Sequence, residues 1–286
     1  MTRFLAAALF ALLAFAANSV LCRMALREAH IDPASFTSVR LLAGAVTLWF
    51  LVRVGRRARS GGSWRSALTL VVYAIAFSLA YVGLTAGTGA LLLFGAVQVV
   101  MIAAGFIGGE RIDGTILLGW GLAVAGLVLL LFPGISAPPP LQAGSMLVAG
   151  VAWGLYSLDG RGSTDALADT AGNFLRSLPL TLLISALFWA RRSADFEGIL
   201  LAALSGSIAS GLGYAAWYTA LPRLGAIAAA NAQLSVPVIA ALAGVALFDE
   251  PITVRLLAAT VLVLGGTALA VRRTVAVRLA RSPAAK

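Results

Sequence analysis

The chain has 286 residues, 60% of them hydrophobic and only 11% charged, with a mean hydropathy of +0.97 and a formal net charge of +10. A soluble domain carries about 25% charged residues, so this composition describes a surface that faces lipid, or packs against helices that do. The single cysteine, Cys22, excludes an internal disulfide. No His/Cys/Asp/Glu cluster has metal-ligand spacing, and no phosphate-binding loop, nucleophile elbow or HExxH motif is present, so neither a metal, a cofactor nor a catalytic apparatus is expected. The lone histidine, His30, is expected to be a solvated loop residue.

A spanning helix needs about 20 apolar residues to cross about 30 Å of hydrocarbon. Ten runs qualify: 3–23, 33–52, 65–86, 88–108, 114–132, 142–160, 168–190, 198–220, 225–247 and 252–271. None alternates apolar with polar residues as a barrel strand does. The first run contains Ala14-Phe15-Ala16, which looks like a signal-peptide cleavage site, but its apolar stretch continues through Cys22 to Met24, long enough to span. The second starts at Asp32-Pro33, an N-cap acid before a first-turn proline. A basic loop, residues 54–65, follows, and the third and fourth runs are joined by a few small residues around Gly87. Pro179 and Pro237 lie inside the seventh and ninth runs and permit bends.

The fourth and ninth runs resemble each other. Gly89 to Arg111 carries Gln98 near its middle and ends at Glu110; Gly225 to Pro251 carries Asn231 and Gln233 and ends at Asp249-Glu250. A glycine stands sixteen residues beyond each acid, at Gly126 and Gly266. Such self-similarity predicts an all-α membrane protein of ten helices in two inverted five-helix repeats. The repeats are residues 1–134 and 142–272, with a Pro-rich linker at 135–141 and a basic tail at 273–286. With the N-terminus inside, fourteen basic residues fall on the cytoplasmic side and five outside, while Arg40 and Arg176 lie within helices. That bias explains the positive charge as membrane orientation and sets nucleic acid aside as a partner.

Every acid lies in a loop or at a helix end, so a membrane-embedded carboxylate for proton coupling is missing, and Glu110 and Glu250 are expected to close helix ends. The mid-depth amides Asn18, Gln98, Asn231 and Gln233 are expected to point inward, since an unpaired amide in lipid is costly. They serve either a midplane substrate site or helix–helix hydrogen bonds. Tyr81, Trp153, Tyr156 and Tyr214 are candidates for the walls of a cavity that stacks on a ring-bearing substrate. Trp49, Trp64, Trp189 and Tyr218 are expected in interfacial belts. Two arrangements are open for Arg40: facing the interior, where it would draw a carboxylate, or tied to helix-end carbonyls, Glu28 or Asp32. Ala104/Gly108, Ala240/Gly244, Gly119, Gly121 and Gly126 read as close-packing positions.

Ten helices in two halves, Ser38-Val39-Arg40-Leu41-Leu42 early in the second, and the helix ends Gly109-Glu110-Arg111-Ile112 and Asp249-Glu250-Pro251-Ile252 together resemble the EamA branch of the drug/metabolite transporter superfamily. Within it the chain is most similar to YddG-type exporters of aromatic amino acids, also associated with methyl viologen efflux. The resemblance implies an exporter in the bacterial inner membrane, with both termini cytoplasmic and a central cavity. The small four-helix multidrug members of the superfamily use a glutamate in their first helix; here Ala16 and Asn18 occupy that region, which argues against their proton exchange and for facilitative transport. The expected partners are the lipid bilayer and a small amphipathic metabolite, with aromatic amino acids favoured; a monomer suffices, because ten helices can enclose a cavity. The alternatives are a carrier of nucleotide sugars or lipid-linked sugars, a broad drug exporter, an intramembrane enzyme, and a membrane scaffold.

Overall fold

The computed structural model describes residues 2–55, 61–108, 113–134, 136–161, 163–220 and 232–279. Among them the chain is helical throughout, with a single isolated antiparallel bridge between Ile31 and Ala194. The helices are α1 (Thr2–Arg27), α2 (Pro33–Val54), α3 (Trp64–Tyr81), α4 (Ala86–Ile107), α5 (Gly114–Leu131), α6 (Pro140–Asp159), α7 (Ala166–Leu187), α8 (Phe196–Ala220), α9 (Ser235–Phe248) and α10 (Val254–Leu279). Among the described residues eight are long and apolar enough to cross a membrane, where the sequence led to ten. α7 has 22 residues but carries Asp169, Asn173 and Arg176, and the 14 residues of α9 are too few. The expected ninth span begins at 225, so its start and Asn231 lie outside the described residues, as does Glu110. Pro237 stands in the first turn of α9 rather than within a continuous helix. A proline has no N–H for the carbonyl four residues back and crowds it, and that carbonyl belongs to Gln233, beside the turn at Leu234.

The helix ends are built as their sequences dictate. Asp32 caps α2, accepting from the amides of Ala34 and Ser35, both at 3.0 Å; Asp113, Asp165 and Asp195 cap α5, α7 and α8 in the same way. α8 contains a π-helical segment, Ser205–Leu212. There Gly206 lies against the backbone carbonyl of Arg40 and Gly211 against Thr47, so α8 crosses α2 with no room for a Cβ at either glycine. α5 and α10 meet the same way: Gly119 sits on the carbonyl of Gly266, and Gly266 on that of Gly119. Gly121, read as a packing position, faces open space. The other main pairings are α3 with α6, α1 with α8, α4 with α6, α1 with α9, α2 with α8, α3 with α7, α2 with α7 and α4 with α9. Large apolar side chains such as Leu42, Phe50, Leu117, Leu182 and Val261 cover the outside, as they do where the surroundings are lipid.

One end of the bundle is tied by two clusters. Glu250, nine-tenths buried, meets Arg23 Nε at 3.1 Å and accepts from the Ala86 amide at 2.8 Å, at the first turn of α4. Arg23 Nη1 donates to the carbonyls of Tyr81 and Val82 at the end of α3. Gly244 leaves the space that the Glu250 carboxylate fills, and Asp249 takes the left-handed conformation (φ 53°) that turns the chain there. Glu250 therefore closes helix ends, as its position led one to expect. The second cluster corrects the reading of His30. Its ring is one-fifth exposed, with Nδ1 2.7 Å from Asp195 and Nε2 3.4 Å from Glu28 and 3.9 Å from Glu197. The bond from Asp195 raises the His30 pKa, and the Gly198 amide and His30 together lower that of Asp195. Backbone bonds from Asp32 to Ser193 and from Asp195 to His30 complete this clamp between the α1–α2 and α7–α8 turns.

Candidate functional site

Arg40 lies seven residues into α2, about 10 Å along the helix from its start, and is 2% exposed. Nη2 donates to the Tyr73 hydroxyl at 3.1 Å. The guanidinium carbon stands 5.3 Å from the centre of the Tyr73 ring and 5.0 Å from that of Phe77, within cation–π range. Nε and Nη1 are buried with no hydrogen-bond partner among the described residues. The two acids that could have tied it are engaged elsewhere: Asp32 caps α2 and accepts from the Ser193 amide, and Glu28 faces His30. The side chain is therefore buried among the rings and pairs with neither acid. Arg176, ten residues into α7, is tied off: its Nη1 donates to the carbonyls of Gly61 at 2.6 Å and Gly172 at 3.1 Å.

Around Arg40 the rings form one connected set. Tyr73 lies 4.8 Å from Trp153, which stacks on Tyr156 at 5.2 Å and on Tyr214 at 5.7 Å; Tyr214 stacks in turn on Tyr218 at 6.3 Å. Phe174 and Phe15 close on Tyr214 at 6.2 and 5.8 Å. Each such pair adds about 0.5–1.5 kcal/mol beyond its burial. The three-residue spacings that put Trp153 with Tyr156 and Tyr214 with Trp217 on single faces are realised, since Phe15 also touches Trp217 at 5.9 Å. Tyr218, expected in an interfacial belt, is instead part of the set, with its hydroxyl 3.1 Å from that of Thr170; Trp49, Trp64 and Trp189 are exposed. Tyr81 joins through Phe77 at 4.8 Å but is fully enclosed at the α3–α4 corner, where its hydroxyl donates to the Ala86 carbonyl.

Asn18 is buried and polar-bonded on both sides, donating to the Tyr73 hydroxyl at 3.4 Å and accepting from Ser205 at 2.6 Å. Gln98 and Gln233 are partly buried, and neither carboxamide makes a hydrogen bond among the described residues. Phe94, one turn before Gln98, packs against the core that holds the rings and against the smaller cluster of α1, α4, α8 and α9. Tyr73, Phe77, Asn173, Phe174 and Ser205 were not among the sequence candidates. Asn173, donating to the Tyr156 hydroxyl at 3.3 Å, lies one turn before Ser177 on the polar stripe of α7, a signal the sequence does carry. Away from the rings, a crevice of about 230 Å³ between α2 and α7 is lined by Ser35, Ser38, Ser185, Trp189 and Arg192.

The sequence of residues 142–272, from α6 into α10, matches the EamA-like transporter family. An uncharacterized protein of Pseudomonas aeruginosa is 56% identical over 261 residues, spanning 91% of each chain. Residues 142–272 thus form an EamA-like transporter family domain. A crystal structure of 20% identity superposes with a TM-score of 0.65 over 93% of this chain and 98% of that one, a likeness of fold. With this domain and these apolar helices, the protein is a multi-pass membrane protein.

Proposed function

We propose that this EamA-like transporter exports aromatic amino acids across the bacterial inner membrane as a facilitative uniporter, with ten spans in two inverted repeats and both termini cytoplasmic. The observation that carries the reading is the connected stack of Trp153, Tyr156 and Tyr214, to which we add the partly buried carboxamides of Gln98 and Gln233. Flat faces recognise a flat ring, and free amides recognise its polar end. The repeat reading is supported by the helix pairings. Exchanging α1–α5 with α6–α10 maps α3–α6 onto α8–α1, α4–α6 onto α9–α1 and α2–α8 onto α7–α3, and all of these pairs are present. In this orientation the Arg23–Glu250 cluster sits at the outer end. The acids being confined to helix ends favours transport without proton exchange.

Uptake of labelled tryptophan, phenylalanine and threonine into proteoliposomes, with and without a proton gradient, tests this. The expected result is uptake of the two aromatic amino acids without a gradient and its loss in Trp153→Ala at equal protein level. Strict gradient dependence defeats the uniporter, and threonine moving as well as tryptophan defeats the ring selectivity.

A further inference from the structure

A buried guanidinium with unmet donors is costly, and a membrane protein that carries one mid-helix holds it for a reason. Arg40 has such donors, the one N–H of Nε and the two of Nη1. Its ring neighbours offer faces and a single hydroxyl, neither of which neutralises the charge. Among the described residues no acid pairs with it: Glu250 is held by Arg23 and Ala86, Asp169 by Gly62 and Ser163, and Asp159 by Arg65. Arg176 of α7 shows how this fold satisfies an arginine it uses for structure, its Nη1 donating to two backbone carbonyls. Among the described residues, Arg40 is the arginine with buried nitrogens, Nε and Nη1, that have no partner.

We infer that Arg40 binds the carboxylate of the transported molecule, so that the substrate class is an organic acid or zwitterionic amino acid, and amines or quaternary cations lacking a carboxylate are rejected. Charge sets the selection: a fixed positive charge in a low-dielectric bundle attracts an anion and repels a cation. Guanidinium also presents the planar fork that fits a carboxylate. Tyr73 and Asn18 orient the group, since both Arg40 Nη2 and Asn18 Nδ2 converge on the Tyr73 hydroxyl. This inference rests on placing the substrate site at the ring stack, but it does not require the substrate to be aromatic.

The test is thermal stabilisation of the purified full chain by matched pairs: tryptophan and tryptamine, phenylalanine and phenethylamine, leucine and isoamylamine. The variants are Arg40→Gln and Arg40→Lys. The acids are expected to stabilise the wild type and the amines not to; Arg40→Gln is expected to need about tenfold or more acid for the same shift, and Arg40→Lys to recover part of it. Without ligand, Arg40→Gln is expected to melt at or above the wild-type temperature, because an uncompensated buried charge has been removed; a purely structural arginine gives the opposite sign. Amines that stabilise as well as acids, an Arg40→Gln titration superimposable on wild type, or no shift with any acid each overturn the inference. Stabilisation by leucine but not tryptophan, lost in Arg40→Gln, upholds it while defeating the aromatic reading above.

Discussion

At the scale of single residues, His30 shows how much a loop position gains from what the fold sets opposite it. Its sequence neighbour Glu28 is visible in the chain, but Asp195 and Glu197 come from more than 160 residues away, so only the tertiary structure makes it an ion-pair centre. The sign of its pH dependence follows from the shifts. The folded pKa of His30 is raised above 6.5, chiefly by the Asp195 bond, so its contribution is fully present below about pH 6.5 and is lost as pH rises through the folded value. Asp195, lowered below 3.8 chiefly by the Gly198 amide, contributes above about pH 4 and loses that as pH falls through its folded value. The clamp between the two turns is therefore tightest at mildly acidic pH. Melting scans between pH 5.5 and 8.5 are expected to show the wild type losing stability toward the alkaline end, and His30→Gln showing a flatter profile. Equal slopes in the two would assign the effect elsewhere.

At the scale of helices, what was legible in the sequence is what obeys helical periodicity. Gly119 and Gly126 are seven residues apart and return to one face, and both lie on α10, Gly126 against Val263 and Gly119 against Gly266. Gly121 was grouped with them, yet two residues carry it about 200° around the helix, onto the open side. The same rule places Trp153 with Tyr156. It is silent on Tyr218, whose hydroxyl meets that of Thr170 on a different helix, and on the π-segment of α8. That segment's small residues admit the Arg40 carbonyl at Gly206, but nothing in their order announces the extra residue per turn. The glycine contacts make a direct prediction. Gly266→Leu is expected to destabilise the protein by overpacking the α5–α10 seam, on the order of 1–3 kcal/mol, while Gly121→Leu leaves the melting temperature within error. Equal losses in both variants would mean that the seam is not a tight contact.

At the scale of the whole molecule, one end of the bundle is held by a few polar contacts that join distant parts of the chain, and those contacts are separable from the ring stack. Glu250 reaches α1 through Arg23 and the start of α4 through the Ala86 amide, and Arg23 also holds the end of α3. Glu250→Gln keeps an acceptor for the amide but removes the charge that pairs with Arg23, whose side chain is only 11% exposed. Breaking a buried pair from one side costs about 3–5 kcal/mol, and each 1.4 kcal/mol moves a two-state population about tenfold. If the molecule works by alternating access, this cost falls on the conformation described here and favours the one open at this end. Gln98 offers a place to read that out. It is partly buried near mid-depth of α4, and the one native cysteine, Cys22, is fully buried. In a Cys22→Ala background, Gln98→Cys is expected to react slowly with a membrane-impermeant maleimide added from the outer side. Adding Glu250→Gln is expected to speed that reaction about tenfold or more, without a matching rise from the cytoplasmic side. Unchanged outer labelling would show that the Arg23–Glu250 pair is a fixed strut, and that opening happens elsewhere in the bundle.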